Sequence, residues 1–162
     1  MHDITSFETG GATLFNTVAQ NVLPRIVECT VDLVLTDPPY IISRDSGFSS
    51  GGDARFHTYQ TDFGAWDRDE FTIEDLDHIV QGLYRVLRDG GVAIVFFDIW
   101  KVSDLAKIMT DAGFQDVTMI EWLKTNPVPI NSRKNYLSNA REIAVVASKP
   151  GARSSDFQSQ TA

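Results

Sequence analysis

The stretch VDLVLTDPPY occupies residues 31–40 of the chain. Its first six residues are mostly apolar and include Val and Thr, a composition that predicts a buried β-strand. The last four place a carboxylate, two rigid prolines and an aromatic ring directly after that strand. Ligands of open α/β sheets bind at the carboxyl ends of the strands. Residues 37–40 are therefore the first candidate for a functional site.

The residues on either side of this stretch alternate between helical and strand-like patterns. Thr72 offers an N-cap with Asp75 three residues later, and apolar residues then recur at helical spacing up to residue 87. Residues 88–91 contain two glycines and predict a turn. The remaining pattern predicts strands at residues 12–15, 92–97, 117–123 and 142–148, and helices at residues 17–23 and 100–112. This alternation predicts an α/β fold with a mainly parallel, three-layer sheet, in which the last two strands could pair antiparallel.

Size and composition limit the class of protein. The chain has 162 residues, 43% of them hydrophobic and 22% charged, which suits one globular domain with a core of its own. A single cysteine excludes an internal disulfide and fits a cytoplasmic location. The three histidines are scattered, so no metal site is predicted. No apolar stretch approaches the roughly 20 residues of a membrane span, and the N-terminus has no signal-peptide pattern.

Charge is unevenly distributed along the chain. The net charge is −8, which by itself argues against a polyanionic partner. Residues 1–121 hold 8 Lys/Arg and 20 Asp/Glu, a net charge of −12, whereas residues 122–153 carry a net charge of +5. The basic segment suits either a surface that faces a polyanion or a solvated loop, and charge alone does not separate these two interpretations.

Two motifs together resemble one enzyme family. Beside DPPY at residues 37–40, the chain carries EWLKTNPVP at residues 121–129 and NAREI at residues 139–143, followed by a strand that reaches Lys149. With these motifs, the chain is similar to the β-class amino-methylating DNA methyltransferases that use S-adenosylmethionine. The similarity covers residues 12–149. The resemblance implies a Rossmann-like fold, S-adenosylmethionine as cofactor and double-stranded DNA as partner. Aspartate at the first motif position is the form typical of adenine-N6 enzymes, where serine would indicate cytosine-N4.

The resemblance implies catalytic roles for Asp37, Pro38, Pro39 and Tyr40. An adenine amino group is a poor nucleophile because its lone pair is delocalised into the ring. A carboxylate acceptor and a proline-fixed backbone carbonyl would hold its two N–H groups and align the nitrogen with the sulfonium methyl. Tyr40 would stack on a base flipped out of the duplex. The alternative is a Pro-Pro turn whose tyrosine packs on the edge of the core.

The same resemblance assigns further residues to the cofactor and to DNA. Asp37 and Pro38 would also contact the cofactor, and Asn16 is a weaker candidate because the family often has Gly-Asp there. The substrate-binding candidates are Lys124 for a phosphate, Asn126 for the base edge, and Pro127, Arg133 and Lys134 beside them. An Asn-Pro turn with a solvated lysine is the alternative.

Three other features carry weaker expectations. Residues 41–69 resemble the mobile loop that orders over DNA in the family, and simple surface disorder explains that composition equally well. Asp98 is expected to cap the helix that follows it. Trp100 and Trp122 are expected in the core or in an interface rather than as stacking platforms.

One expected motif is absent from the sequence. The β-class enzymes carry a Phe-x-Gly-x-Gly turn after the catalytic half, and no such stretch occurs here. Residues 1–150 are therefore expected to form an incomplete catalytic domain, with a polar tail at residues 151–162. The strand at residues 31–36 would lack a neighbour and become a sheet edge. We expect a truncated form, a fragment, or a subunit completed by another chain or a second copy, which alone binds S-adenosylmethionine weakly or not at all.

Three functions remain open on the sequence alone. The leading one is site-specific methylation of adenine N6 in DNA, of the kind found in restriction-modification systems. The second is a non-catalytic subunit that binds DNA or a partner methylase. The third is a methyltransferase that acts on cytosine N4, on RNA or on a protein amide.

Overall fold

The computed structural model describes residues 5–40, 71–125 and 140–151. Its strands are β1 (Thr5–Thr9), β2 (Ala12–Asn16), β3 (Val31–Thr36), β4 (Leu87–Phe97), β5 (Gln115–Leu123) and β6 (Arg141–Ser148). Its α-helices are α1 (Ala19–Val22), α2 (Ile73–Val86) and α3 (Val102–Asp111), and a 3-10 turn at Leu23–Arg25 follows α1.

Within the described ranges, four strands form the main sheet, in the order β3-β4-β6-β5. β3 and β4 are parallel, whereas β6 is antiparallel to both β4 and β5. β5 therefore runs in the same direction as β3 and β4. The last two strands pair antiparallel, which is the alternative that the sequence left open. The carboxyl ends of β3, β4 and β5 meet the amino end of β6 at one edge of the sheet.

Helix α2 follows from the predicted capping box. The Thr72 hydroxyl accepts a hydrogen bond from the Asp75 backbone N–H at 3.1 Å, and the Asp75 carboxylate accepts one from the Thr72 N–H at 2.8 Å. The Thr72 hydroxyl also donates to the Asp75 carboxylate at 2.7 Å, and this bond, followed by the one from the Thr72 N–H, lowers the pKa of Asp75. Because the apolar residues of α2 share one face, that face packs against the sheet.

The core lies between one face of the sheet and helices α2 and α3. β4 and β6 contribute alternate side chains to it, since successive residues of a strand point to opposite faces. The core comprises Leu76, Val80, Leu83, Leu87, Ala93, Val95, Phe97, Leu105, Met109, Phe114, Val145 and Ala147. Among the residues that the structure describes, both long helices lie on this face, and the third layer of the predicted architecture is not found.

Strand β3 differs from its prediction as a buried strand. It is the terminal strand of the described sheet, and its second face exposes 49% of Leu33 and 64% of Leu35. Val31 and Val34 are the residues of this strand that pack against the core. The prediction of a buried strand is wrong, because an apolar run does not reveal whether both of its faces are covered. The prediction that this strand becomes a sheet edge is confirmed for the described residues.

The predicted turn at residues 88–91 is also wrong. β4 begins at Leu87, directly after α2, and runs through both glycines. Gly90 adopts φ +72°, and a Cβ on Gly91 would lie 2.9 Å from the Arg88 carbonyl oxygen. The glycines therefore form an irregularity within a strand, and the pairing of β3 with β4 shifts register beside it.

The amino-terminal region forms a separate two-stranded antiparallel sheet. β2 matches the predicted strand, whereas β1 was not predicted. The helix predicted at residues 17–23 is shorter and passes into the 3-10 turn that contains Pro24. Across the described ranges, no helix combines the length and the apolar character needed to cross a membrane.

Candidate active site

A cavity of about 490 Å³ opens where the strand ends of the main sheet meet. Volumes of about 300–1,000 Å³ are usual for small-molecule sites. Residues from all four strand ends line it, namely Leu35, Thr36, Asp37, Tyr40, Phe96, Trp122, Lys124 and Glu142. The topology explains this convergence. Because β6 lies between β4 and β5 and is antiparallel to both, its first residues reach the edge where the other strands end.

Asp37 and Tyr40 form the polar side of the cavity nearest β3. A hydrogen bond joins the Tyr40 hydroxyl to the Asp37 carboxylate. The pKa of Tyr40 is raised, first by desolvation, then by this bond and by the negative charges of Asp37, Glu142 and Asp98. The hydroxyl therefore stays protonated and donates to Asp37. A carboxylate has about four lone-pair positions, so Asp37 can accept further hydrogen bonds from a ligand.

The Tyr40 ring also contacts the core. It meets the buried Phe97 ring edge to face, with centroids 5.9 Å apart and an interplanar angle of 75°. Tyr40 thus packs on the core edge and lines the cavity at the same time, so the two alternatives drawn from the sequence do not exclude each other. The contact with Phe97 holds the ring at the cavity wall.

Another part of the cavity lining is apolar and aromatic. Phe96 and Trp122 meet edge to face, with centroids 6.1 Å apart, and Leu35 adjoins them on β3. Trp122 is 59% exposed and Trp100 is 89% exposed, so neither lies in the core. The other expectation, a place in an interface, stays a prediction. Sequence reasoning missed Phe96 and Trp122 as site residues, although each lies in the last two residues of a strand that ends at the ligand-binding edge.

Lys124 and Glu142 form an ion pair in the cavity wall. Trp122 lies opposite Glu142 in the β5–β6 ladder, and the Lys124 N–H donates to the Ala140 carbonyl at 2.7 Å. Lys124 is therefore the diagonal neighbour of Glu142 on the same face, within reach of a long side chain. Glu142 was not predicted as a site residue. Its signal in the sequence was a carboxylate at the first position of the strand predicted at residues 142–148, which is apolar from the next residue to Ala147.

The remaining predicted residues separate from this cavity or lie outside the described residues. Asn16 ends β2 in the amino-terminal sheet and is not among the residues lining the cavity. Asp98 accepts a hydrogen bond from the Trp100 N–H at 2.8 Å. The predicted cap is wrong, however, because α3 begins at Val102 with Lys101 as its N-cap and has no side-chain cap. Four substrate-binding candidates (Asn126, Pro127, Arg133 and Lys134) and the loop at residues 41–69 lie outside the described residues. Within the described residues, no group of three or more His, Cys, Asp or Glu is arranged to hold a metal ion.

Comparison with known proteins now identifies the family. The model of the N6/N4 methyltransferase family, described as DNA methylase, matches residues 31–161. The chain belongs to this DNA methylase family. The family resemblance seen in the sequence is thereby confirmed.

Two Type II methyltransferases illustrate the relationship. The DNA methylase chain is 25% identical to M2.LlaDCHI of Lactococcus lactis subsp. cremoris over 154 residues, covering 93% of this chain and 55% of the relative. It is 26% identical to M2.DpnII of Streptococcus pneumoniae over 124 residues, covering 74% and 44%. The chain thus spans about half the length of the curated relatives it matches.

Solved methylase structures share the fold. TTHA0409 of Thermus thermophilus, described as a DNA modification methylase and solved with S-adenosyl-L-methionine, gives a TM-score of 0.53 at 20% identity, over 88% of this chain and 54% of that one. The M1.HpyAVI–SAM complex gives 0.51 at 20% identity, over 83% and 52%. The prediction of an incomplete Rossmann-like methyltransferase sheet is confirmed.

Proposed function

We propose that this chain supplies the catalytic half of a site-specific DNA methyltransferase, which transfers a methyl group from S-adenosylmethionine to N6 of a flipped adenine. The observation that carries the proposal is the shared cavity of Asp37 and Tyr40, in which the carboxylate keeps acceptor positions beside an aromatic ring. Both belong to the DPPY stretch at residues 37–40. Restriction-modification in the cytoplasm is the setting that fits this activity.

In the proposed reaction, Asp37 accepts a hydrogen bond from one N–H of the target amino group. A carbonyl of the rigid Pro38-Pro39 segment accepts the other, and this restrained geometry makes the nitrogen more nucleophilic. Tyr40 and the aromatic wall hold the base plane. When bound, S-adenosylmethionine supplies an electrophilic methyl group.

The charges of the site fit a cationic methyl donor. Asp37, Glu142 and Asp98 each raise the pKa of Tyr40, so the potential around that ring is negative. This potential favours a sulfonium ion and the positive charge that develops on the amino nitrogen during transfer. Asp37 and Pro38 are the proposed cofactor contacts within the chain, whereas the glycine-rich turn of the β-class enzymes does not occur in the sequence.

The reaction is tested by incubating the chain, alone and together with a methylase chain that bears the glycine-rich turn, with double-stranded DNA and methyl-labelled S-adenosylmethionine. We expect nucleoside mass spectrometry to find N6-methyladenine, because aspartate leads the motif. Label in N4-methylcytosine, in RNA or in protein would contradict the adenine assignment. Specific DNA binding without any methyl transfer would favour the second candidate, a non-catalytic methylase subunit. The absence of the glycine-rich turn from the sequence supports this candidate.

A complementing polypeptide is proposed as a partner beside DNA. Supporting this are the terminal position of β3 in the described sheet and the exposed apolar side chains of Leu33 and Leu35. An exposed edge of this kind favours pairing with another strand. The partner would bear the glycine-rich turn, and a second copy of this chain is the alternative.

Isothermal titration checks the need for a partner. We expect the purified chain alone to show weak or undetectable heat on titration with S-adenosylmethionine, because the turn that cradles the cofactor is missing. Micromolar one-to-one binding by the monomer would overturn the proposed partner while leaving the methyltransferase proposal intact. Size-exclusion chromatography with light scattering distinguishes a homo-oligomer from a monomer.

A further inference from the structure

Given that the cavity takes a flipped base, as proposed above, we propose that Lys124 reads the ring nitrogen beside the target amino group and that Glu142 positions it. Both side chains line the cavity that contains Asp37 and Tyr40. Lys124 is held by its ion pair with Glu142. The Lys124 side chain is 38% exposed and the Glu142 side chain is 29% exposed. A lysine that spends part of its length on a cavity wall has fewer rotamers to lose on binding a ligand.

The donors and acceptors of the cavity match one pattern of base edge. The lysine ammonium has three N–H donors, and Glu142 accepts one of them. The donors left over suit a ring nitrogen acceptor, while Asp37 suits the N–H groups of an exocyclic amine. Adenine presents this pair as N1 beside N6, and cytosine presents it as N3 beside N4. Thymine, and guanine at its N1–O6 edge, present a ring N–H beside a carbonyl, which reverses both partners.

The family assignment favours this ring nitrogen over adenine N7. The matched family is named for both N6 and N4 methylation. An acceptor next to the amino group in the six-membered ring is common to adenine and cytosine, whereas N7 occurs only in purines. A reader of that shared atom serves either base.

Charge argues against a phosphate as the partner of Lys124. Asp37 and Glu142 lie in the same cavity as Lys124, and Asp98 adds to the negative potential at Tyr40. A phosphate would meet two carboxylates for one ammonium. Leu35, Phe96 and Trp122 also form an apolar wall, which suits the faces of a base and gives a phosphate no hydrogen bonds.

The test is an NMR titration of the full chain with free nucleosides. We expect 2′-deoxyadenosine to bind about three- to tenfold more tightly than 1-deaza-2′-deoxyadenosine, as for a partly exposed hydrogen bond to a charged donor. 7-Deaza-2′-deoxyadenosine should bind like 2′-deoxyadenosine. We call the affinity for 2′-deoxyadenosine divided by that for 1-deaza-2′-deoxyadenosine the 1-deaza ratio. Lys124→Met should bring this ratio to about one. Lys124→Arg, which keeps N–H donors, should retain part of the preference for 2′-deoxyadenosine. Glu142→Gln should give an intermediate ratio, because Lys124 keeps its donors and loses its anchor.

Strands β5 and β6 supply a matched control. Glu121 and Arg141 form another cross-strand ion pair, on the opposite face of the same ladder, with N and O 3.4 Å apart. Glu121→Gln removes a carboxylate from these strands without touching the cavity, so the 1-deaza ratio should not change. Circular dichroism melts of all variants verify that they fold.

The outcomes separate this inference from the proposed function. If Lys124→Met weakens the binding of 2′-deoxyadenosine and 1-deaza-2′-deoxyadenosine equally, or changes neither, the preference between them is unchanged. In that case Lys124 does not read the ring nitrogen, and the inference fails. The base-binding proposal then still stands, provided that purine 2′-deoxyriboside, which lacks the amino group, binds more weakly than 2′-deoxyadenosine. If that amino-free nucleoside binds equally well, or if none binds, the proposed use of the cavity fails and the inference fails with it.

Discussion

Replacing Asp37 by Asn should lower methyl transfer to DNA about 100- to 1,000-fold, the loss seen when one pre-oriented electrostatic group is removed from an active site. Asn has nearly the same shape, but it carries no charge and presents an NH₂ donor where the target amino group needs an acceptor. The Tyr40 hydroxyl would also lose its carboxylate acceptor. The measurement is the initial rate of methyl incorporation into DNA, by the chain or by its complex with a complementing chain.

Asp32 provides the matched control for Asp37. It lies on β3, the strand that directly precedes Asp37, but its side chain is 77% exposed and pairs with Arg88. Asp32→Asn should leave the rate within about twofold of the original, since surface ion pairs contribute about 0–1 kcal/mol. A rate for Asp37→Asn within threefold of the control would contradict the acceptor role of Asp37. The same variants can be compared for 2′-deoxyadenosine affinity, which does not depend on turnover.

The sequence predicted the elements with strong local signals and missed those decided by tertiary pairing. Thr72 and Asp75 form the capping box that begins α2, as their spacing indicated. The hydrophobic pattern also located β3 and most of β4, β5 and β6. The course of β4 through Gly90 could not be predicted, because a glycine with positive φ fits a turn and a strand irregularity equally well.

The candidate site was predicted in the same uneven way. Asp37 and Tyr40 were identified because a rare motif directly follows a strand. Phe96, Trp122 and Glu142 join them only through the order of the strands, which places β6 between β4 and β5. Single-strand patterns do not contain that order, so their convergence on one cavity was not visible. Lys124 was selected from the sequence, but its carboxylate partner was not.

Replacing Phe97 by Ala should destabilise the chain by about 3–5 kcal/mol, as for other buried aromatic truncations. Phe97 is 1% exposed and belongs to the core beneath α2 and α3. The free energy of unfolding of an ordinary domain is only about 5–15 kcal/mol, so a large fraction of the variant would unfold under mild conditions. Urea denaturation followed by circular dichroism measures the loss. Phe97→Leu, which keeps much of the volume, should fold with a smaller loss and still loosen Tyr40, whose ring packs on Phe97.

The neighbouring Phe96 gives the opposite expectation, because successive residues of β4 point to opposite faces of the sheet. Its ring is only partly buried and meets Trp122 in the cavity wall. Phe96→Ala should therefore lower the free energy of unfolding less than Phe97→Ala does. It should also weaken the binding of 2′-deoxyadenosine about 5- to 150-fold, because roughly 1–3 kcal/mol of stacking is lost. Equal destabilisation by the two substitutions would show that the second face of the sheet is as covered as the first. Unchanged nucleoside affinity in Phe96→Ala would remove the aromatic wall from the proposed base pocket.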